Sequence, residues 1–363
     1  MSTLKFQQDN VGLLNDLRKR VNEYFDSNGI SQHANFQMVF KTLSLLTLYF
    51  VPYLLILTTD LSLLAMWALT IPMGLAVAGI GMCVMHDANH GSYSSKPFIN
   101  NFIGYAINLI GGNKFNWKIQ HNVKHHTFTN IYGHDEDLSN GDVIRLSPFS
   151  DIKWFHKYQH IYSWFLYMLG TLSWVTIKDF KQFGHLYNEQ KHIHRASFGK
   201  ELAILTISKI IYYIYLVVVP VMILDIAAWH IFVGFITIHF VAGFTLSVTF
   251  QLAHVVEETS HEDGDANPSL DSWAAHQIKT TSNFARKNWL ANWFLGGLNF
   301  QIEHHLFPNV CHIHYKQISK IVKEVVEERG LVYNEHMTFF EAVRSHYTTL
   351  KYFGKYKPQR VAA

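Results

Sequence analysis

The sequence predicts an all-α integral membrane protein, with four transmembrane helices in two hairpins and a helical cap on the cytoplasmic side. Three observations lead there. Of the 363 residues, 49% are hydrophobic and only 16% charged, against about 25% charged in a soluble domain. The deficit is local: no Lys or Arg occurs between Lys41 and Lys96, and none between Lys209 and Lys279. Each gap holds two apolar runs near the length of a bilayer crossing, separated by a short link. The net charge of +3, without a basic patch interleaved with aromatics, argues against nucleic acid as a partner. Cys83 and Cys311 lie far apart and make neither a CxxC pair nor a disulfide framework, as in a reducing compartment. Met1 to Asn10 is polar, so no cleavable signal peptide is expected.

Residues 10–29 read as an amphipathic helix. Val11, Leu14, Leu17, Val21, Tyr24 and Phe25 line one side and Gly29 ends it. Such a helix packs on the protein or lies at the membrane interface. The N-terminal segment 1–37 leads into the first hairpin, 38–85, with spans at about Val39–Leu57 and Leu63–Met85. The second hairpin, 203–253, comprises Ala203–Leu224 and Trp229–Ala253. Lys41 and Lys209 fall near the starts of the first and third spans, where each is expected to snorkel to the interface. Neither hairpin tip carries Lys or Arg. The positive-inside rule then puts both termini and the segment 86–202 in the cytoplasm, at a bacterial inner membrane or the endoplasmic reticulum.

Between the hairpins, Phe98–Gly112 is apolar but too short to span, as in a re-entrant or buried helix. Residues 133–148 read as a turn-rich loop, and 154–177 as an aromatic interfacial helix. Residues 182–200, with His185, His192 and His194, read as solvated or headgroup-facing. The final segment, 254–363, opens with an acidic loop from Glu257 to Asp271 that includes an Asn267-Pro268 turn. Residues 281–300 lead to a histidine cluster that Phe307-Pro308 stops. Two amphipathic helices come next. One uses Ile318, Ile321, Val322 and Val325 and ends at Gly330; the other starts with the capping-box pattern Thr338 to Glu341. No repeat or low-complexity segment divides the chain, so it reads as a single domain.

The chain holds 23 histidines, and their placement carries the chemistry. His86 and His90 end the second span, four apart on one helix face. His121, His125 and His126 form a second cluster; Gln301, His304 and His305 form a third; His254 ends the fourth span. A lone His beside an apolar face is usually structural, and a single His-x3-His is a weak sign. Three such clusters on one side of the membrane are another matter. Eight histidines exceed the four to six ligands of one ion, so two metals sharing a site is the simpler account. The absence of thiolates from the clusters argues against iron–sulfur and structural zinc. Asp87, Asp135, Asp137, Glu257, Glu258 and Glu303 lie nearby and suit a supporting role, orienting imidazole N–H groups. A nitrogen-rich, open centre at a membrane surface suits oxygen activation by iron, the chemistry that takes hydrogen from an unactivated methylene.

Three strings carry a family resemblance: His86-Asp-Ala-Asn-His90, Gln120-His121-Asn-Val-Lys-His125-His126, and Gly296-Gly-Leu-Asn-Phe-Gln301-Ile-Glu-His304-His305-Leu-Phe-Pro308. From about residue 35 to 320 the chain resembles the membrane fatty acid desaturases with three histidine boxes. Gln301, in place of the first His of box three, resembles the front-end and linoleoyl-CoA-type branch. The resemblance implies a cytoplasmic cap over four transmembrane helices, a di-iron centre and a narrow acyl tunnel. It makes His86, His90, His121, His125, His126, His254, His304 and His305 the ligands. Gln301, Gln251, Asp87 and Glu303 are further candidates for metal binding or support, and Trp117 and Asn89 for substrate contact. Some relatives place an Asn holding a metal-bound water where this chain has Phe250. The implied reaction uses O2 and two electrons to put a cis double bond into a fatty acyl-CoA or acyl-lipid.

The His-Pro-Gly-Gly string of a fused cytochrome b5 is absent, so the resemblance implies a separate carrier, cytochrome b5-like or ferredoxin-like, with its reductase. Lys114, Lys118, Lys124, Arg286 and Lys287 offer a basic face for an acidic carrier or for CoA phosphates. Hydroxylation is a sister reaction on the same scaffold, differing in whether a second hydrogen is lost. A zinc-binding membrane receptor or transporter would need ligands on crossing helices and commonly more spans.

Overall fold

The computed structural model describes residues 4–9, 11–138, 143–190, 196–264 and 269–356. His192, His194 and the Asn267-Pro268 turn lie outside the described residues, as does part of the loop 133–148. Among the described residues, four helices are long and apolar enough to cross a membrane: Phe36–Thr58, Leu63–His90, Phe198–Ile223 and Ala228–His254. The chain divides into two compact units. One comprises Ala34–Ile119 and Trp164–Val248; the other comprises the residues up to His33, Gln120–Ser163, and those from Thr249 on.

In the span-rich unit the first two of these helices pack directly on each other. The Asn35 side chain caps the first by accepting from the Gln37 N–H at 2.9 Å, and Ser62 caps the second by accepting from the Ala65 N–H at 3.3 Å. The second helix runs past Met85, so His86 and His90 occupy its last turn. Immediately before them, Ile80–Met85 is a π-helical turn. Large apolar side chains such as Phe40, Leu43, Leu64, Met222 and Phe232 remain exposed, as lipid-facing positions require. Phe98–Gly112 is helical over Pro97–Gly104 and Ala106–Leu109.

The two span lysines correct the snorkelling expectation, since Lys41 and Lys209 are each only 3% exposed. Lys209 Nζ donates to Gly111 O at 2.5 Å, to Trp174 O at 3.0 Å and to Asp179 Oδ2 at 2.7 Å. Asp179 also accepts from Trp174 Nε1 at 3.0 Å. The pair is fully hydrogen-bonded, the condition under which buried charges are tolerated. Burial raises the Asp179 carboxyl above its usual range, with Lys209 opposing that rise. Asp179 begins the helix Asp179–Gln190, which continues the helical run from Gln159 through a second π turn at Trp174–Lys178. That run covers the region expected to be an interfacial helix.

In the other unit, the helix Leu13–Asn28 buries Leu13, Leu17, Val21 and Phe25 against Ile318, Val322 and Val325 of the helix Tyr315–Glu328. The buried stripe differs from the expected one. Val11 precedes the helix and is 65% exposed, while Leu14 and Tyr24 are only partly buried. Gly29 ends the helix at φ 60°, a conformation open to glycine at little strain. Thr338 and Glu341 form the capping box of Phe339–Phe353. The all-α expectation needs one correction. Among the described residues, three short parallel strand pairs tie Lys5–Gln7 to Ser269–Ser272, Ile131–Tyr132 to Glu262–Asp263, and Asn283–Phe284 to Glu335–His336. Strands this short leave no alternation to read.

Candidate metal centre

Six of the singled-out histidines meet within one unit, and all are buried: His121, His125, His126, His254, His304 and His305. His121 and His125 lie on the π-helical stretch Lys118–His125, and His126 starts the short helix after it. A π turn adds a residue to the ring and re-phases the side chains beyond it. His254 is the last residue of its span, while His304 and His305 ride on Gln301–Leu306. The chain enters that helix through Gly296 and Gly297, at φ 60° and 76°. A Cβ on Gly297 would come within 2.6 Å of His312 and Tyr315, so sterics and backbone conformation both demand glycine there.

Ring nitrogens of His125, His254 and His305 lie within 4.8 Å of one another, and so do those of His126, His304 and His305. His305 belongs to both groups. The outer nitrogens have partners of their own. His121 Nδ1 lies 2.8 Å from Asp137 Oδ2, and His125 Nδ1 lies 2.9 Å from Asp135 Oδ2. His305 Nδ1 is 2.7 Å from Gln277 Oε1, His254 Nδ1 is 3.4 Å from Thr280 O, and His304 Nδ1 is 3.4 Å from the Tyr315 hydroxyl. A ring that donates its Nδ1–H outward keeps the Nε2 lone pair for the interior. His125 Nε2 is buried with no hydrogen-bond partner among the described residues, and so is Gln301 Oε1. Inward lone pairs backed by outward acceptors fit a transition metal. Burial alone would lower the His125 pKa, but the adjacent Asp135 carboxylate outweighs it and raises the value.

The remaining candidates fall in varied places. Gln301 Nε2 is 2.8 Å from His254 Nε2 and 3.3 Å from His305 Nε2, so this amide shares the interior with the ligand nitrogens. Gln251 is buried, and its Oε1 has no hydrogen-bond partner among the described residues. Phe250 stands against the cluster, its ring centroid 5.0 Å from that of His125 and 4.8 Å from that of His254. An aromatic wall thus covers this face of the cluster. Glu303 is fully buried, and its oxygens accept from the Tyr333 hydroxyl and Asn283 Nδ2, each at 2.8 Å. Burial pushes its carboxyl up to about 7 even though both hydrogen bonds pull it down. Glu257 and Glu258 are exposed.

In the span-rich unit, His86 and His90 have ring centroids 4.7 Å apart, and Trp117 stands edge-on to both at 5.7 Å. Asp87 Oδ1 is 4.0 Å from His86 Nδ1. Asn89 Nδ2 donates to Gly104 O at 3.2 Å, which ties it to the backbone. The expected basic face is smaller than composition implied. Lys114 is buried and donates to Asn101, and burial lowers its ammonium pKa to about 8. Lys124 pairs with Glu136 and Arg286 with Glu335. Lys118 and Lys287 are the exposed members of the five.

Sequence reasoning missed four supporting residues: Gln277, Thr129, Asn130 and Tyr315. Asn130 has φ 57°, and its Nδ2 lies 2.9 Å from His254 O, 3.0 Å from Ser260 O and 3.2 Å from Thr280 O. Its backbone N–H donates to Asp135 Oδ2 at 2.9 Å. Its only local signal was an Asn at a turn, since Asn tolerates the left-handed region better than most residues.

Comparison with known proteins agrees with this geometry. The fatty acid desaturase family model matches residues 61–336. An sn-1 linoleoyl-lipid 6-desaturase of Arthrospira platensis is 35% identical, covering 94% of this chain and 92% of its own. One of the same description from Synechocystis sp. is 35% identical, covering 97% and 98%. An acyl-lipid (8-3)-desaturase of Physcomitrium patens is 33% identical over 93% of this chain and 71% of its own.

Proposed function

Because the chain belongs to the fatty acid desaturase family, we propose that it places a cis double bond in a long fatty acyl chain, using two irons held by histidine. The observation that carries this reading is the buried six-histidine cluster with hydrogen-bond acceptors behind five of its rings. His121, His125, His126, His254, His304 and His305 are the proposed ligands in that cluster. His86 and His90 join them on the pattern of the first histidine box. Bound iron supplies activation of O2, which removes hydrogen from a methylene no side chain can deprotonate.

The protein's own groups do the rest. Asp135 and Asp137 hold the Nδ1–H of His125 and His121 and so aim Nε2 inward. Gln301 offers its unpartnered amide oxygen where other branches place an imidazole. Phe250 keeps bulk water from the face it covers, which protects the centre from unproductive turnover. The relatives from Arthrospira platensis and Synechocystis sp. are named for a lipid-linked linoleoyl substrate, so the proposed substrate is an acyl-lipid of the front-end type. In this reading the four spans form two hairpins with the histidines on the cytoplasmic face. Electrons arrive from a separate acidic carrier, ferredoxin-like or cytochrome b5-like, with Lys118 and Lys287 as its contacts.

Expression in a host fed single fatty acids, with mass spectrometric location of new double bonds, tests the reading. A new cis double bond in membrane lipid is expected from the wild type. His126→Ala and His305→Ala should abolish it while the protein stays in the membrane. Full product from both variants, or a hydroxylated product alone from the wild type, would overturn the assignment.

A further inference from the structure

We propose that Gln277 is the positioning residue that sets which nitrogen His305 offers to the metal, and that its neutrality makes His305 a different kind of ligand from His121 and His125. The inference rests on the metal reading above and deepens it.

Gln277 lies on the helix Trp273–Lys279 and is fully buried. Its Oε1 is 2.7 Å from His305 Nδ1 and 2.8 Å from Thr129 Oγ1. The direction of this amide, together with the Thr129 hydroxyl 3.2 Å from the same Nδ1, sets the state of the ring. With the oxygen toward His305, Nδ1 carries the proton and Nε2 keeps its lone pair, facing Gln301 Nε2 at 3.3 Å. With the NH2 group toward His305, Nδ1 must accept, the proton moves to Nε2, and the ring cannot bind a metal through that atom. Thr129 takes part in the choice. Its hydroxyl lies 2.6 Å from His125 O as well as near Gln277, and it has one proton to give. Given to Gln277 Oε1, that proton helps hold the amide oxygen beside His305 Nδ1.

That orientation has a visible consequence. Gln277 Nε2 is left buried with no hydrogen-bond partner among the described residues. An amide free to optimise its own hydrogen bonds would not leave a donor stranded in the interior. The unpartnered NH2 goes with an amide oxygen that faces both His305 Nδ1 and Thr129 Oγ1.

The second half of the inference concerns charge. His121 and His125 are backed by the carboxylates of Asp137 and Asp135. A carboxylate behind the ring makes imidazole a stronger donor to its metal. His305 is backed by an amide, which orients the ring without adding charge. Since His305 belongs to both nitrogen groups, a neutral support there avoids loading both groups with a further negative charge.

The test uses purified full-length protein reconstituted with ferrous iron. Iron per chain, the optical and Mössbauer spectra of bound iron, and thermal stability are measured for wild type, Gln277→Leu, Gln277→Glu and His305→Ala. Gln277→Leu should bind iron roughly 10- to 100-fold more weakly, the range seen when a ligand's supporting partner is lost. Gln277→Glu restores the acceptor, so iron binding should return, with a shifted spectrum. It is nearly isosteric and keeps the test open if the Leu variant fails to fold. Wild-type affinity in the Leu variant, or an unaltered spectrum in the Glu variant, would overturn the inference while His305→Ala still loses iron. Failure of the wild type itself to take up iron would sink the underlying metal reading instead.

Discussion

At the scale of single residues, carboxylates near the boxes serve unlike ends. Asp135 and Asp137 each hold the outer nitrogen of a histidine, whereas Glu303 is taken up by Tyr333 and Asn283. Composition revealed that acids were present but not which way they face, because that depends on chain segments far apart in sequence. Gln277 carried no local signal at all; it meets His305 only through folding. Asp135 does more than Asp137. It is 2% exposed, and besides His125 it accepts the backbone N–H of Asn130 and of Asp137. Asp135→Ala should therefore weaken iron binding about 10- to 100-fold, with a larger loss of thermal stability than Asp137→Ala. Iron titration and thermal unfolding of the two variants check this, and equal effects in both would contradict the ranking.

At the scale of elements, the four spans were legible because a run of about 20 apolar residues has few other uses. Their starts were less so, since the first helix begins at Phe36 rather than Val39 and the third at Phe198 rather than Ala203. The π turns at Ile80–Met85 and Lys118–His125 were also invisible. A π turn leaves the sequence unmarked and only shifts the phase of the side chains on its C-terminal side. The N-terminal helix makes the same point quantitatively. Periodicity placed Val11 and Leu17 on one stripe, yet Leu17 is 0% exposed and Val11 is 65% exposed. Leu17→Ala removes buried volume between two helices and should destabilise by ~2–4 kcal/mol. Val11→Ala should stay within about 0.5 kcal/mol. Thermal unfolding in detergent separates them, and similar shifts for the two would put the buried stripe elsewhere.

At the scale of the whole molecule, the buried histidines among the described residues include two kinds. One converges with its nitrogens inward; the other, such as His346 and His276, lies buried away from that cluster. The family strings made the first legible, while nothing local marked the second. His346 is fully buried with Nδ1 2.7 Å from Val255 O, and His276 is 3% exposed with Nε2 2.8 Å from Thr129 O. Burial lowers both to about 4, although each backbone hydrogen bond opposes the shift. The sign comes from comparing folded and unfolded chains. Above about pH 6.5 both are neutral in either state, so no stability depends on pH through them. As pH falls from about 6.5 toward 4, the unfolded chain takes up protons that the folded chain refuses, and unfolding becomes easier. The loss is up to about 1.4 kcal/mol per pH unit for each such histidine. Substituting His346→Asn keeps a donor for Val255 O and removes the titration. The variant should therefore lose stability less steeply than the wild type between pH 6.5 and 4, and match its slope above 6.5. Parallel curves across the whole range would mean that His346 is solvated or charged in the folded protein, and that the acid sensitivity of the fold arises elsewhere.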